Sequence, residues 1–181
     1  TSVDKYVIYN YDQDIWYFGT LARTAWVDSG VRDFPIASTY TNNLVNHEDG
    51  LDNNEGSSVV AIDSYISSAQ FDLEDGHQFV FVHKMLPDMS FDGSTADSPS
   101  VEMSLLPLQS AGSGFNNPLS EGGVNAASVT RTASVPVEVF TDQINVRVRG
   151  RQMAIKVQST DTGVAWQLGS PRIDMRPDGR R

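Results

Sequence analysis

Hydrophobic and polar residues alternate along most of this chain with a period of two, and no stretch of useful length shows the spacing of an amphipathic helix. Short alternating runs bounded by Gly, Asp, Asn and Ser predict strands of a few residues joined by turns. Lys5–Tyr11 and Ile15–Phe18 are aromatic and β-branched, and Asp12-Gln-Asp14 between them completes a hairpin pattern. Leu21–Trp26 follows Gly19-Thr20, and Asp28-Ser-Gly30 turns the chain toward Phe34–Ala37. These strands are expected to form one small antiparallel sheet, the size of a propeller blade. Tyr6, Tyr9, Tyr11, Trp16, Tyr17, Phe18 and Trp26 are expected to be core between neighbouring sheets, since aromatics dominate buried area. A sugar-stacking platform is the other reading of the same cluster.

Residues 39–57 are polar, and His47-Glu-Asp-Gly-Leu-Asp-Asn-Asn-Glu-Gly56 reads as an exposed acidic loop. Asp52, Asn54 and Glu55 resemble part of a calcium loop, but the ligand order of an EF-hand and its closing Glu are missing. Ser57–Ile66 opens a second unit, which sets the expected domains at 1–56 and 57–181. Gln70–Leu73 and Gln78–Met85 flank Glu74-Asp-Gly76, a pattern that predicts a hairpin. Within its second arm, Phe79, Phe81 and His83 share one face, and Val80, Val82 and Lys84 the other. His77 and His83 have no third histidine or cysteine near them and read as exposed or hydrogen-bonded side chains.

Ser100–Gln109 alternates again, with Val101, Met103 and Leu105 opposed to Glu102, Ser104 and Leu106. Ser110–Ala127 is a Gly/Ser/Asn-rich loop without periodicity. Ser134–Phe140 leads into the clearest strands, between Gln143 and Gln158, where Gly150 is expected to mark a bulge. Val164–Leu168 and Arg172–Met175 complete the pattern. The fold expected is all-β: an antiparallel β-sandwich or jelly-roll-like unit, preceded by the blade-like sheet.

Charge divides the chain. Of a formal net charge of −10, the region from Phe140 onward contributes +4, from eight Lys/Arg against four Asp, leaving −14 for residues 1–139. An acidic body argues against ordinary nucleic-acid binding, where a basic footprint supplies most of the affinity, and suits a wall past which a polyanion slides without sticking. No cysteine is present, so disulfides and thiolate chemistry are excluded. No apolar run approaches the ~20 residues of a membrane helix, so insertion by a helix of this chain is not expected. The opening at Thr1, with strand-like sequence almost at once, reads as the ordered part of a longer chain.

Catalytic patterns are missing. Gly112-Ser-Gly114 lacks the spacing of a nucleophile elbow, and Leu51 stands where a zinc-protease motif beginning at His47-Glu48 needs its second histidine. Carboxylate pairs such as Asp72 with Glu74 are expected by chance among 23 acids. No cofactor or metal is therefore expected, nor enzymatic activity.

Arg147, Arg149 and Arg151 would share one strand face, opposite Val146 and Val148. Like charges two residues apart repel, so something of opposite charge should face them. With Arg172 and Arg176, they are expected to make ionic contacts to carboxylates within the chain or in a neighbouring subunit, ahead of DNA.

Val146-Arg-Val-Arg-Gly-Arg-Gln-Met-Ala-Ile-Lys-Val157, Gly163-Val-Ala-Trp-Gln-Leu-Gly-Ser-Pro-Arg-Ile-Asp174 and Arg176-Pro-Asp-Gly-Arg-Arg181 resemble the ending of the tail hub or nozzle proteins of short-tailed phages, the packaged-DNA stabilisation family. Tyr6-Val-Ile-Tyr-Asn-Tyr11 with Trp16–Trp26 resembles the same proteins, in the same order. So does His47-Glu48 with Ser64-Tyr-Ile66, Gln70–Val82 and Leu86-Pro-Asp88. The likeness spans most of the chain and leaves the loop near 110–130 uncovered.

The resemblance implies a chain in which Lys5–Trp26 contributes to the last blade of a β-propeller formed mostly by preceding sequence. It implies a hexameric ring beneath the portal and adaptor of a virion tail, forming a channel that retains and then passes packaged double-stranded DNA. It brings no catalytic residues.

Overall fold

The computed structural model describes residues 3–73, 76–108 and 132–179. Ser110–Ala127, expected to be a loop, lies outside them, as do Glu74, Asp75, Gln109, Arg180 and Arg181. The fold is all-β, with sixteen strands and no helix among the described residues. Two compact units divide the chain, Thr1–Gly50 and Leu51–Arg181.

In the first unit, β1 (Lys5–Asn10) and β2 (Ile15–Thr20) form the expected hairpin, with Tyr9 opposite Trp16. The one-sheet expectation is corrected: β3 (Ala25–Val27), β4 (Ile36–Ser38) and β5 (Leu44–Asn46) make a separate three-stranded sheet. Backbone hydrogen bonds show where the chain changes ladder. Leu21 N–H still donates to Asp4 O at the end of the first, and Thr24 N–H already donates to Ser38 O in the second.

The aromatic core expected here is also corrected. Tyr6, Tyr9, Tyr11, Trp16, Tyr17, Phe18 and Trp26 are all exposed, Trp16 by 64%. A two-stranded ribbon has two faces and little of its own to cover either, so its aromatics stack on one another instead: the Tyr9 and Trp16 rings lie 4.5 Å apart. Pro35 and Ala37 are the buried apolar side chains of this unit among the described residues.

The second unit is a sandwich. One sheet runs β12 (Ala133–Glu138), β11 (Ser100–Leu108), β14 (Gln152–Ser159), β8 (Ser64–Ser67), and the other β13 (Ile144–Gly150), β9 (Val80–Leu86), β16 (Arg172–Pro177). Val101, Met103, Leu105, Val137, Met153 and Val157 from the larger sheet pack against Val80, Val82, Met85, Ile144, Val146 and Val148 from the smaller. Burying each such side chain contributes roughly 1.5–3 kcal/mol, so this interface holds the unit together. Two strand pairs complete it: β6 (Asp52–Asn53) with β7 (Val60–Ala61), and β10 (Met89–Ser90) with β15 (Gln167–Leu168).

The hairpin expected across Glu74-Asp-Gly76 does not form. Gly76 does turn the chain, at φ +70° with its N–H donating to Leu73 O, but the two arms enter different sheets. Phe71 bridges Met153 of the larger sheet, whereas β9 pairs with β13 and β16 of the smaller. Gly150 is likewise a crossing point. At that position the chain leaves β13 for β14 in the facing sheet, and a Cβ there would lie 2.9 Å from Pro107 Cβ.

Candidate functional site

The smaller sheet turns one face to the core and the other to solvent. On β13 the alternation is strict: Ile144, Val146, Val148 and Gly150 are buried, while Asn145, Arg147 and Arg149 point outward. On β16, Ile173 and Met175 pack on the core, which puts Asp174 and Arg176 on the outer face. Arg149, Phe81 and Arg176 are direct neighbours across the three strands.

The central strand breaks its own pattern. Val80 and Val82 are buried, but the next buried residue is Met85, an odd step that a regular strand cannot make. The phase changes at His83. Its two flanking ladders are interrupted there, between Asn145 and Val148 on one side and between Asp174 and Met175 on the other, and His83 is paired in neither. Irregularities of this kind bend strands and re-aim side chains. The predicted bulge at Gly150 therefore lies elsewhere, beside Arg147, and Lys84 is half-buried rather than in line with the core valines.

Beside this break lies an open cleft of about 780 Å³ lined by Phe81, His83, Asn145, Val146, Arg147 and Arg176. His83 is held from one side, its Nε2 lying 3.0 Å from Asp174 Oδ2. Its Nδ1 is buried and has no hydrogen-bond partner among the described residues. Neither Arg147 nor Arg176 has a carboxylate partner among the described residues. Two guanidinium groups that no carboxylate among the described residues engages, in a protein of net charge −10, make this cleft an anion-attracting spot on an acidic molecule.

The five predicted arginines separate into three settings. Arg149 makes the expected ionic contact within the chain: Nε lies 2.5 Å from Asp178 Oδ2, and a terminal nitrogen donates to Asp178 O at 3.0 Å. Its guanidinium stands 4.1 Å from the Phe79 ring centroid, and that of Arg151, just past the strand, 5.1 Å from the same ring. Arg147 and Arg176 meet at the cleft. Arg172 lines a different depression of about 370 Å³, near Asp88, Glu138, Thr141 and Asp142.

The acidic loop has a structural use. Both carboxylate oxygens of Asp52 accept the Gly163 N–H, at 2.9 and 3.0 Å, and Gly163 at φ +71° fills a space closed by Thr95 Oγ1. Nearby, Ser94 Oγ donates to Ala165 O and accepts from Ala165 N–H, and Trp166 Nε1–H donates to Ser64 Oγ. His47 accepts from Arg23 Nε at 3.0 Å and packs on Trp26, with centroids 4.4 Å apart. No group of three potential metal ligands occurs among the described residues.

Sequence reasoning passed over His83 as an ordinary strand histidine. The signal that marks it was present: the apolar phase of Val80 and Val82 is out of step with Met85. In comparisons with known proteins, no family model and no curated protein matches the chain.

Proposed function

We propose that this chain is a non-enzymatic structural component of a phage tail, a hub or nozzle subunit that joins a ring below the portal and adaptor and retains, then passes, the packaged genome. The observation that supports this reading best is the first unit. Its aromatic side chains are exposed on thin sheets that bury almost nothing of their own, which suits a piece completed by neighbouring protein in an assembly. The ordered sequence motifs that resemble the tail hub family point the same way, and the acidic body suits a wall past which DNA slides without sticking. Negative-stain imaging of the protein with its adaptor is expected to show rings. A strict monomer with adaptor present would count against the reading.

A second reading is a carbohydrate-binding module of a phage adsorption apparatus. It is favoured by one feature, the exposed Tyr9–Trp16 stack, since flat open aromatic surfaces accept sugar rings. A glycan array without a binder would remove it.

A further inference from the structure

We infer that the cleft beside His83 is a binding site for a small carboxylated ligand, and that an acidic sugar unit is the class that uses its groups most fully. The inference does not rest on the tail reading. It starts from the double break in the sheet: His83 is skipped by the ladders on both sides, and the cleft lies where those ladders part. A volume of about 780 Å³ is within the range of small-ligand sites.

The lining has a division of labour. Arg147 and Arg176, both without carboxylate partners among the described residues, offer planar forks that match a carboxylate. Phe81 is half-buried between Arg149 and Arg176 in the register and gives a ring against which an apolar sugar face can lie. Asn145 offers its amide N–H donors to hydroxyl groups, its Oδ1 already accepting from Gln143 Nε2 at 2.9 Å. His83, held at Nε2 by Asp174, lines the floor with its ring, its Nδ1 being buried away from solvent.

The surrounding charges explain why the ligand is small. Asp174 and Asp178 stand on the same sheet, Asp174 3.0 Å from His83 Nε2 and Asp178 paired with Arg149. The rest of the chain is acidic, so a long polyanion approaching the cleft meets repulsion over most of its length, whereas a single carboxylate faces the two arginines, against Asp174 beside His83. Phosphate would find the charge it needs here but would leave the Phe81 ring unused.

The test is a titration of the isotope-labelled protein, followed by NMR, with trigalacturonate, maltotriose and inorganic phosphate as separate probes. Trigalacturonate is expected to shift the resonances of Phe81, His83 and Asn145–Arg147, and to bind roughly tenfold or more weakly to Arg147→Ala and Arg176→Ala. Arg172→Ala, on the same strand as Arg176 but at another depression, is expected to bind as the parent does. Both cleft arginines are exposed, so the variants should keep the parent spectrum elsewhere. Absence of shifts at these residues up to the solubility limit would overturn the proposal. An equal response to maltotriose would overturn the role of the arginines, and an equal response to phosphate that of the sugar.

Discussion

Arg149 grips Asp178 twice, through the carboxylate and through the backbone carbonyl, and so ties β13 to the end of the chain segment that follows β16. The same segment is laddered to β9, with Asp178 N–H donating to Phe79 O and Phe79 N–H to Gly179 O. Phe79 then lies beneath the Arg149 guanidinium. One arginine thus closes the open end of the smaller sheet across all three strands.

Removing that closure should be felt but should not unfold the protein. The pair is nearly half exposed, so solvent screens it and the salt bridge itself is worth about 0.5–1 kcal/mol. Arg149→Ala is expected to lower the denaturation midpoint modestly, and a double-mutant cycle with Asp178→Ala should show coupling. Charge reversal, Arg149→Glu, places a carboxylate against Asp178 and should disturb folding or assembly more than any affinity for DNA. Loss of DNA binding with intact assembly would contradict this.

The turn at Gly163 is fixed from several sides. Asp52 accepts its N–H, Thr95 and Ala96 N–H groups donate to its carbonyl, and its φ is +71°. Gly163→Ala puts a Cβ 2.7 Å from Thr95 Oγ1 and is expected to cost about 1–3 kcal/mol. Asp52→Ala, which leaves the Gly163 N–H without its acceptor, should cost roughly 1–2 kcal/mol. Urea unfolding checks both, and an unchanged midpoint for Asp52→Ala would show that the acidic loop has no structural part.

Tyr9 provides a pH-dependent signal in the first unit. Its hydroxyl donates to Asp14 Oδ1 at 2.8 Å, and this hydrogen bond raises its pKa above the ordinary 10.0. The protonated phenol is therefore favoured in the folded hairpin. Its contribution is fully present below the unfolded pKa and disappears as the pH rises through the higher folded value. Tyrosinate absorbance should show one residue titrating late, and Asp14→Asn should bring it back toward the others.

Much of this architecture is legible in the alternation of residues, and the failures have physical reasons. The Asp-Gly signal before Gly76 reports a local turn, and a turn does not say which sheet each arm will join; Phe71 and β9 part company there. The aromatic run of β1 and β2 signals strands, but whether Trp16 is covered depends on what packs on it, which no local pattern records. Arg147 and Arg176 are visible as charges, yet their meeting at one cleft depends on the break at His83 that brings β13 and β16 around it.

A tail subunit of this kind should have its exposed aromatic hairpin covered in the assembly. A protein carrying Trp26→Phe and Trp166→Phe retains Trp16 as its one tryptophan, since the chain has three. Acrylamide quenching of that residue, before and after mixing with the portal–adaptor complex, is the direct measurement. Trp16 is expected to be accessible in the lone chain and shielded in a ring-sized particle. A Trp16 equally quenchable in a chain that stays monomeric would contradict it.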